Sequence, residues 1–193
     1  AAAPVGGFAS NDSTITQGGA DELADVTQDG NDQTSIVNQT SSQSAAYVLQ
    51  VGQLNGAQID QTGASYQIAG IGQYGTDNHG QITQTGYGNA AGIGQSQVSG
   101  IENLPSQGLG GLSFAPATGN GATITQHGNL DAAGVLQTGN YNHGEITQSV
   151  TSSVNAAGIY QSGDHNQSTI TQNGTESLAL NLQTGSDNES EIT

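Results

Sequence analysis

The chain has 193 residues, of which 30 are Gly, and it contains no Lys, Arg, Cys, Met or Trp. Its formal charge of −16 excludes a nucleic-acid-binding protein, which needs Lys or Arg against phosphate, and opposes contact with or insertion into an anionic membrane. The lack of Cys excludes a disulfide framework and a thiolate metal site, and the few large apolar residues argue against a large globular core.

Residues 1–10 form a predicted N-terminal segment that precedes the repeats. It begins Ala1-Ala2-Ala3-Pro4, which resembles the small-residue flank left after cleavage of a signal peptide. We therefore expect a mature secreted chain, located outside the cell, whose signal peptide has been removed.

From residue 11 onward a Gln recurs with a period of 11 residues, which separates 10 of the 13 successive pairs. Gly stands two residues after this Gln in 11 of 14 units, Ile or Val usually stands two before it, and Asn often stands six before it. Marked residues at every second position indicate a β-strand, and the Gly-containing stretch between units indicates a turn whose Gly supplies a positive φ.

We expect the marked residues to point inward and to form ladders of stacked amides along the axis. The predicted inner glutamines are Gln17, Gln28, Gln39, Gln50, Gln61, Gln73, Gln84, Gln95, Gln126, Gln137, Gln148, Gln161, Gln172 and Gln183. The predicted inner asparagines are Asn11, Asn55, Asn78, Asn89, Asn120, Asn142, Asn155, Asn166 and Asn188.

Units this short bury their inner faces only by stacking on one another. The sequence therefore predicts an all-β fold, a parallel cross-β solenoid with two strands per coil of about 22 residues, in about 7–8 coils that rise by about 4.8 Å each and stack into an amyloid-like fibre. The coils cover residues 11–97 and continue in the same stack over 120–193, with 98–119 as an inserted loop.

The predicted strands number fifteen, so subunits stacked head-to-tail would lack half a coil. Either residues 1–9 supply this half coil, or the natural chain continues beyond Thr193.

Outward positions differ between alternate strands, so the full period is 22 residues. One outer face is polar and acidic, and the other is small and apolar. The larger apolar residues predicted on the second face are Tyr47, Leu49, Ile68, Leu136, Tyr160, Leu178, Leu180 and Leu182. Two alternatives stay open for this face: it packs against another filament, or the insertion folds over it.

Catalytic and metal sites are not expected, and no cofactor is implied. His79 and His143 share an outward position but lie two coils apart, about 10 Å, which is too far for one zinc ion, and all four His are read as solvated surface residues.

Two other solenoid functions remain as alternatives. Acidic residues in the turns suggest a calcium-binding solenoid, and outward Thr-x-Thr pairs suggest a soluble ice-binding solenoid. The turn carboxylates are Asp29, Asp77, Asp164 and Asp187.

The repeat resembles the curlin repeat of bacterial curli subunits. Gln84-x-Gly86-x-x-Asn89-x-Ala91-x-x-x-Gln95 matches that family's pattern, as does the stretch from Gln50 to Gln61, and the resemblance covers residues 11–97 and 120–193. It implies a secreted functional amyloid of a biofilm matrix, a structural fibre rather than an enzyme. The implied partners are copies of the chain itself and a nucleator subunit.

Overall fold

The structure, a computed structural model, describes residues 10–98, 114–115, 117–149 and 153–193. Among these residues the regular elements are all β-strands. No helix in the described ranges is long and apolar enough to cross a membrane. The chain passes alternately between two parallel sheets, which confirms the predicted all-β solenoid with two strands per coil.

Sheet 1 contains eight strands, and sheet 2 contains seven strands together with a short strand at its margin. In stacking order, sheet 1 comprises β1 (Asp12–Gln17), β3 (Thr34–Gln39), β5 (Gly56–Gln61), β7 (His79–Gln84), β12 (Gly121–Gln126), β14 (His143–Gln148), β16 (Gln167–Gln172) and β18 (Glu189–Ile192). Sheet 2 comprises β2 (Leu23–Asn31), β4 (Ala45–Gln53), β6 (Ile68–Thr76), β8 (Ala90–Gln95), β13 (Ala132–Thr138), β15 (Ala156–Ser162) and β17 (Leu178–Thr184).

Identical repeat positions stack directly on one another. Ile124 pairs with Ile82 on one side and with Ile146 on the other, so the register passes unchanged across the insertion. The alternation of inward and outward side chains fixes this register, because a slip by one residue would turn every inner amide toward solvent. Seven spacings of about 4.8 Å make sheet 1 about 34 Å long.

The core is one thin layer between the two sheets. Ile59, Ile82 and Ile124 of sheet 1 are fully buried, and Val48 and Ile71 face them from sheet 2. Small residues bring the sheets close together. The inner Gly80 provides an example, because a Cβ there would lie 3.0 Å from Ile71 Cγ2. The Ala, Ser and Gly positions of the repeat thus make room for the aliphatic column of the opposite sheet.

The insertion leaves and rejoins the solenoid through three short strands. β9 (Gln97–Val98) and β10 (Phe114–Ala115) form an antiparallel pair, and β11 (Ala117–Thr118) then pairs in parallel with β6. Parallel stacking therefore resumes at residue 117. The proposal that the insertion folds over the apolar face falls on residues 99–113, which lie outside the described residues.

Candidate functional site

Two glutamine ladders run through the molecule, one on each sheet. In both ladders Nε2 of each Gln donates a hydrogen bond of 2.8–3.0 Å to Oε1 of the Gln one coil further on. The ladder of sheet 1 joins Gln17, Gln39, Gln61, Gln84, Gln126, Gln148 and Gln172. The ladder of sheet 2 joins Gln28, Gln50, Gln73, Gln95, Gln137, Gln161 and Gln183. All bonds point the same way, so each ladder is polar.

Each ladder amide except the first of sheet 1 donates to a backbone oxygen of the other sheet, and in all but the last Gln of each ladder this is a second donation. Nε2 of Gln126 bonds Gln148 Oε1 at 2.9 Å and also the backbone oxygen of Ala90, on sheet 2, at 3.1 Å. Thirteen Gln side chains make this crossing bond, at 2.8–3.2 Å. Both amide hydrogens are therefore used inside a dry core, where an unpaired polar group would be costly.

The asparagines lie at the arcs, where they bond mainly to the backbone. Oδ1 of Asn120 accepts the backbone N–H of Asn142, and Nδ2 of Asn120 donates to the carbonyl oxygen of Gly139. Asn142 Nδ2 also bonds Asn120 Oδ1, at 3.2 Å, so a weaker amide ladder accompanies the backbone bonds. These side chains satisfy arc amides and carbonyls that lie outside the strand ladders.

In some coils a residue other than Asn occupies the Asn position, so the predicted set of inner asparagines does not include it. Gln33, Gln67 and Asp131 each stand six residues before a ladder Gln and are buried. Gln67 Nε2 donates to Gly86 O, and Asp131 Oδ1 accepts the backbone N–H of Asn155. The spacing from the ladder Gln was the signal that could have found them.

The arcs correct the predicted use of glycine. Gly52 and five other glycines two residues after a sheet 2 Gln have positive φ, but among those after a sheet 1 Gln only Gly63 does. Each described arc instead also holds a left-handed residue just before the Asn position, and this residue is usually not Gly, as at Leu54 (φ 56°) and Val154 (φ 59°). These left-handed positions were not predicted, because Leu and Val are poor left-handed residues.

The two outer faces lie where the alternation places them. On sheet 1 the outward residues include Asp60 and Glu145. On sheet 2, Tyr47, Leu49, Ile68, Leu136, Leu178, Leu180 and Leu182 are exposed, and Tyr160 is half-buried.

The histidines differ from one another in their surroundings. His79 and His143 flank Gly121 in register, two coils apart. Two others make specific contacts, which corrects their reading as merely solvated. His127 Nδ1 lies 2.9 Å from Thr85 Oγ1, and the His165 ring stacks on Tyr141 with a centroid distance of 5.2 Å.

Of the four carboxylates that the calcium alternative placed in turns, three are dispersed along the arcs, and Asp29 lies instead within strand β2, where it pairs with Val51 of β4. Asp164 Oδ1 accepts two hydrogen bonds from Asn140, while Asp77 and Asp187 are left-handed arc residues. In the described ranges no three His, Asp or Glu side chains approach closely enough to hold a metal ion.

Comparison with known proteins adds one match. No curated protein matches the chain at a significant level. Residues 117–149 match the family model of the curlin associated repeat. This stretch holds β11 to β14 and three members of the two ladders, Gln126, Gln137 and Gln148. The chain therefore carries a curlin associated repeat, in coils that stack in register with the rest of the solenoid.

Proposed function

We propose that this chain is the structural subunit of an extracellular curli-like amyloid fibre that assembles head-to-tail through its open β-edges. The curlin repeat supports a structural rather than an enzymatic role and an extracellular location. The observation that carries the proposal is the polarity of the two glutamine ladders.

That polarity makes the two ends of the solenoid complementary. The ladders begin at Gln17 and Gln28, whose Oε1 atoms face the N-terminal end, and they finish at Gln172 and Gln183, whose Nε2 groups face the C-terminal end. One end therefore offers amide acceptors and the other offers amide donors. A second copy added in the same orientation keeps the donor-to-acceptor direction of both ladders, whereas an inverted copy would set like groups against each other.

The backbone edges are complementary as well. In β1 the N–H of Asp12 donates to the backbone oxygen of Gln33, the residue just before β3. Because amides alternate in direction along a parallel strand, the N–H of Ile15 points away from the stack. At the other end the N–H groups of Glu189 and Glu191 point beyond β18 by the same alternation. Open edges of this kind template further strands.

The purified chain should form Thioflavin-positive fibres with a meridional reflection near 4.8 Å. The expected rise per subunit in electron cryo-microscopy is about 36–40 Å, from fifteen or sixteen strands in two sheets at that spacing. A rise well outside this range would contradict the coil-on-coil assembly.

Substitution Ile15→Pro provides the specific test of the edges. Proline removes the outward N–H of Ile15 without breaking a bond to β3, so the solenoid should fold but fail to elongate. The matched control Ile15→Ala keeps the N–H and should polymerise. Fibres of the Ile15→Pro chain that grow as fast as those of the control would refute assembly through the β1 edge.

A further inference from the structure

The outward surface of sheet 2 from β4 to β17 carries no charged residue. We call it the apolar face. Its outward residues are Ala45, Tyr47, Leu49, Ile68, Gly70, Gly72, Ala90, Gly92, Gly94, Ala132, Gly134, Leu136, Ala156, Gly158, Tyr160, Leu178, Leu180 and Leu182. The formal charge of −16 therefore lies on the rest of the molecule, with no Lys or Arg to offset it.

At four positions of this face nothing in the described part of the molecule requires glycine. A Cβ added to Gly70, Gly72, Gly92 or Gly134 would meet no atom within 4 Å, and none of the four has a left-handed φ. The arc residue Gly52 differs, because a Cβ there would collide with the carbonyl oxygen of Gly75. Gly weakens a strand and often marks a place where another chain approaches closely. The approach to these four must come from outside the solenoid.

The relief of the face is self-complementary. Gly92, Gly134 and the neighbouring alanines form the floor of a shallow apolar groove. Gly70 and Gly72 lie in a second shallow groove, which also borders Asp25 and Thr27 of β2. At the C-terminal end of the face, Leu178, Leu180 and Leu182 of β17 form a ridge, and Leu178 is 82% exposed. A ridge of one molecule is thus matched to the floor of another, as when side chains of two packed sheets interdigitate.

Charge favours a second copy of this chain as the occupant. Two copies repel one another across their acidic surfaces, since neither carries Lys or Arg. The apolar face is the surface on which they can meet without desolvating a carboxylate.

The size of the face indicates when pairing occurs. Six strands about 4.8 Å apart and about 17 Å wide give about 500 Å² on each copy, or about 1,000 Å² buried by two. This lies below the area typical of stable complexes, about 1,200–2,000 Å². In a fibre the contact repeats with every subunit and the contributions add. Pairing should therefore follow polymerisation.

We propose that the apolar face packs against the same face of a second copy in a neighbouring filament, with the β17 leucine ridge seated over the glycine floor. This inference rests on the proposed fibre. Its main rival is the chain's own segment 99–113, which follows β9 in the sequence and in that alternative would cover the face from within the same molecule.

The test compares the wild-type chain with Gly92→Asp/Gly134→Asp, which puts two carboxylates into the groove without an internal clash. The matched control is Thr125→Asp/Thr147→Asp, an adjacent outward pair on sheet 1 that adds the same charge and has only Thr residues as its further neighbours in the column. Mass per length is measured by scanning transmission electron microscopy on fibres already identified by their 4.8 Å reflection. A single filament carries 19.3 kDa per subunit rise.

The wild-type chain and the sheet 1 control should show twice the mass per length of the Gly92→Asp/Gly134→Asp fibres. Wild-type fibres with the mass of a single filament, or groove-variant fibres that remain double, would overturn the pairing while leaving the proposed fibre intact. A wild-type chain that forms no fibre would overturn the proposed function and the pairing with it.

Two further measurements separate the rival occupants. Gly92→Val/Gly134→Val adds bulk without charge and should also halve the mass per length, because the ridge no longer seats. Thicker bundles of the valine variant would instead indicate non-specific hydrophobic association and would overturn the fit of the ridge into the groove. A lower melting temperature of the soluble Gly92→Asp/Gly134→Asp chain, with no such loss in the control, would show that the chain covers its own face and would likewise overturn the proposal.

Discussion

Substitution Gln126→Leu breaks the glutamine ladder of sheet 1 at its middle. Gln126 accepts a hydrogen bond from Gln84 at 2.8 Å and donates to Gln148 Oε1 at 2.9 Å. Leucine leaves one N–H of Gln84 and the oxygen of Gln148 without these partners, and both side chains are fully buried; it also removes the crossing bond to Ala90 O. Three lost partners at about 1–3 kcal/mol each, offset by about 2 kcal/mol for burying the leucine, leave a loss of about 4 kcal/mol.

A second substitution in the same ladder should add almost nothing. In Gln84→Leu/Gln126→Leu the gap has lengthened but still has two ends, an N–H of Gln61 and the oxygen of Gln148. The one further lost partner, the crossing bond of Gln84 to Ile68 O, is offset by the burial of the second leucine. Independent contributions would instead double the loss. We therefore expect the double variant to unfold at about the same free energy as either single variant, with a coupling of about 4 kcal/mol in the double-mutant cycle.

The assay is guanidinium unfolding of the soluble chain, followed by circular dichroism before polymerisation begins. The control is Gln81→Leu, whose side chain points outward from β7 and joins neither ladder, and it should change the free energy of unfolding by less than about 0.5 kcal/mol. Additive losses in the double variant, or a Gln126→Leu chain as stable as the control, would refute the ladder as a continuous stabilising chain of bonds.

Four other substitutions test the arcs and the glycines, each by the free energy of unfolding in guanidinium. Gly52→Ala should cost about 3 kcal/mol or more, since φ is +125° and the new Cβ would strike the backbone. Gly70→Ala should instead gain about 0.5–1 kcal/mol, because its Cβ meets no neighbour. Equal effects of the two substitutions would contradict this difference between arc and face glycines. Val154→Asn should gain about 1 kcal/mol, because a β-branched residue is held at φ 59° where Asn is tolerated, and a loss would show that Val154 has a packing role. Gln33→Asn should gain about 1 kcal/mol, since Gln33 Oε1 is buried and has no hydrogen-bond partner among the described residues, while Asn in the same column bonds the next coil; an unchanged midpoint would refute this.

The sequence was sufficient for the strands and their register because both depend on one quantity, the inward or outward direction of a side chain. Gln126 stands in a ladder because every eleventh residue has the same direction in a stack of like units. The second donation of Gln126 to Ala90 O could not be read in this way. It depends on the distance between the sheets, which the small inner residues and the aliphatic columns set together.

The arcs were least predictable, because there the stack overrides local preference. Leu54 adopts a left-handed conformation that its own side chain disfavours, since the backbone must bring the next strand into line one coil above. Gly94 illustrates the same point in reverse. Its Cβ would lie 3.0 Å from Leu136 Cδ1, so this glycine makes room for the leucine of the adjacent strand. Composition alone does not distinguish such a glycine from Gly92.

The acidic residues of the strands are spaced so that none pairs with another. Asp60, for example, lies between Asn38 and Thr83, and Glu145 lies between Thr123 and Thr169. Like charges that stack directly would destabilise a sheet, and this chain has no Lys or Arg to offset them. The interleaving removes that cost within the subunit.

A fibre with β1 stacked on β18 would meet this repulsion at one place, the junction, where Asp12 would follow Glu189 in register. Substitution Glu189→Gln should therefore speed elongation and weaken its dependence on salt, because the repulsion that salt screens is gone. Glu145→Gln removes the same charge away from the junction and serves as the control. Elongation rates on preformed seeds, measured by Thioflavin fluorescence from low to physiological salt, decide the matter. If both variants respond alike, the two carboxylates do not meet, and the subunits join with β1 placed over sheet 2 instead of sheet 1.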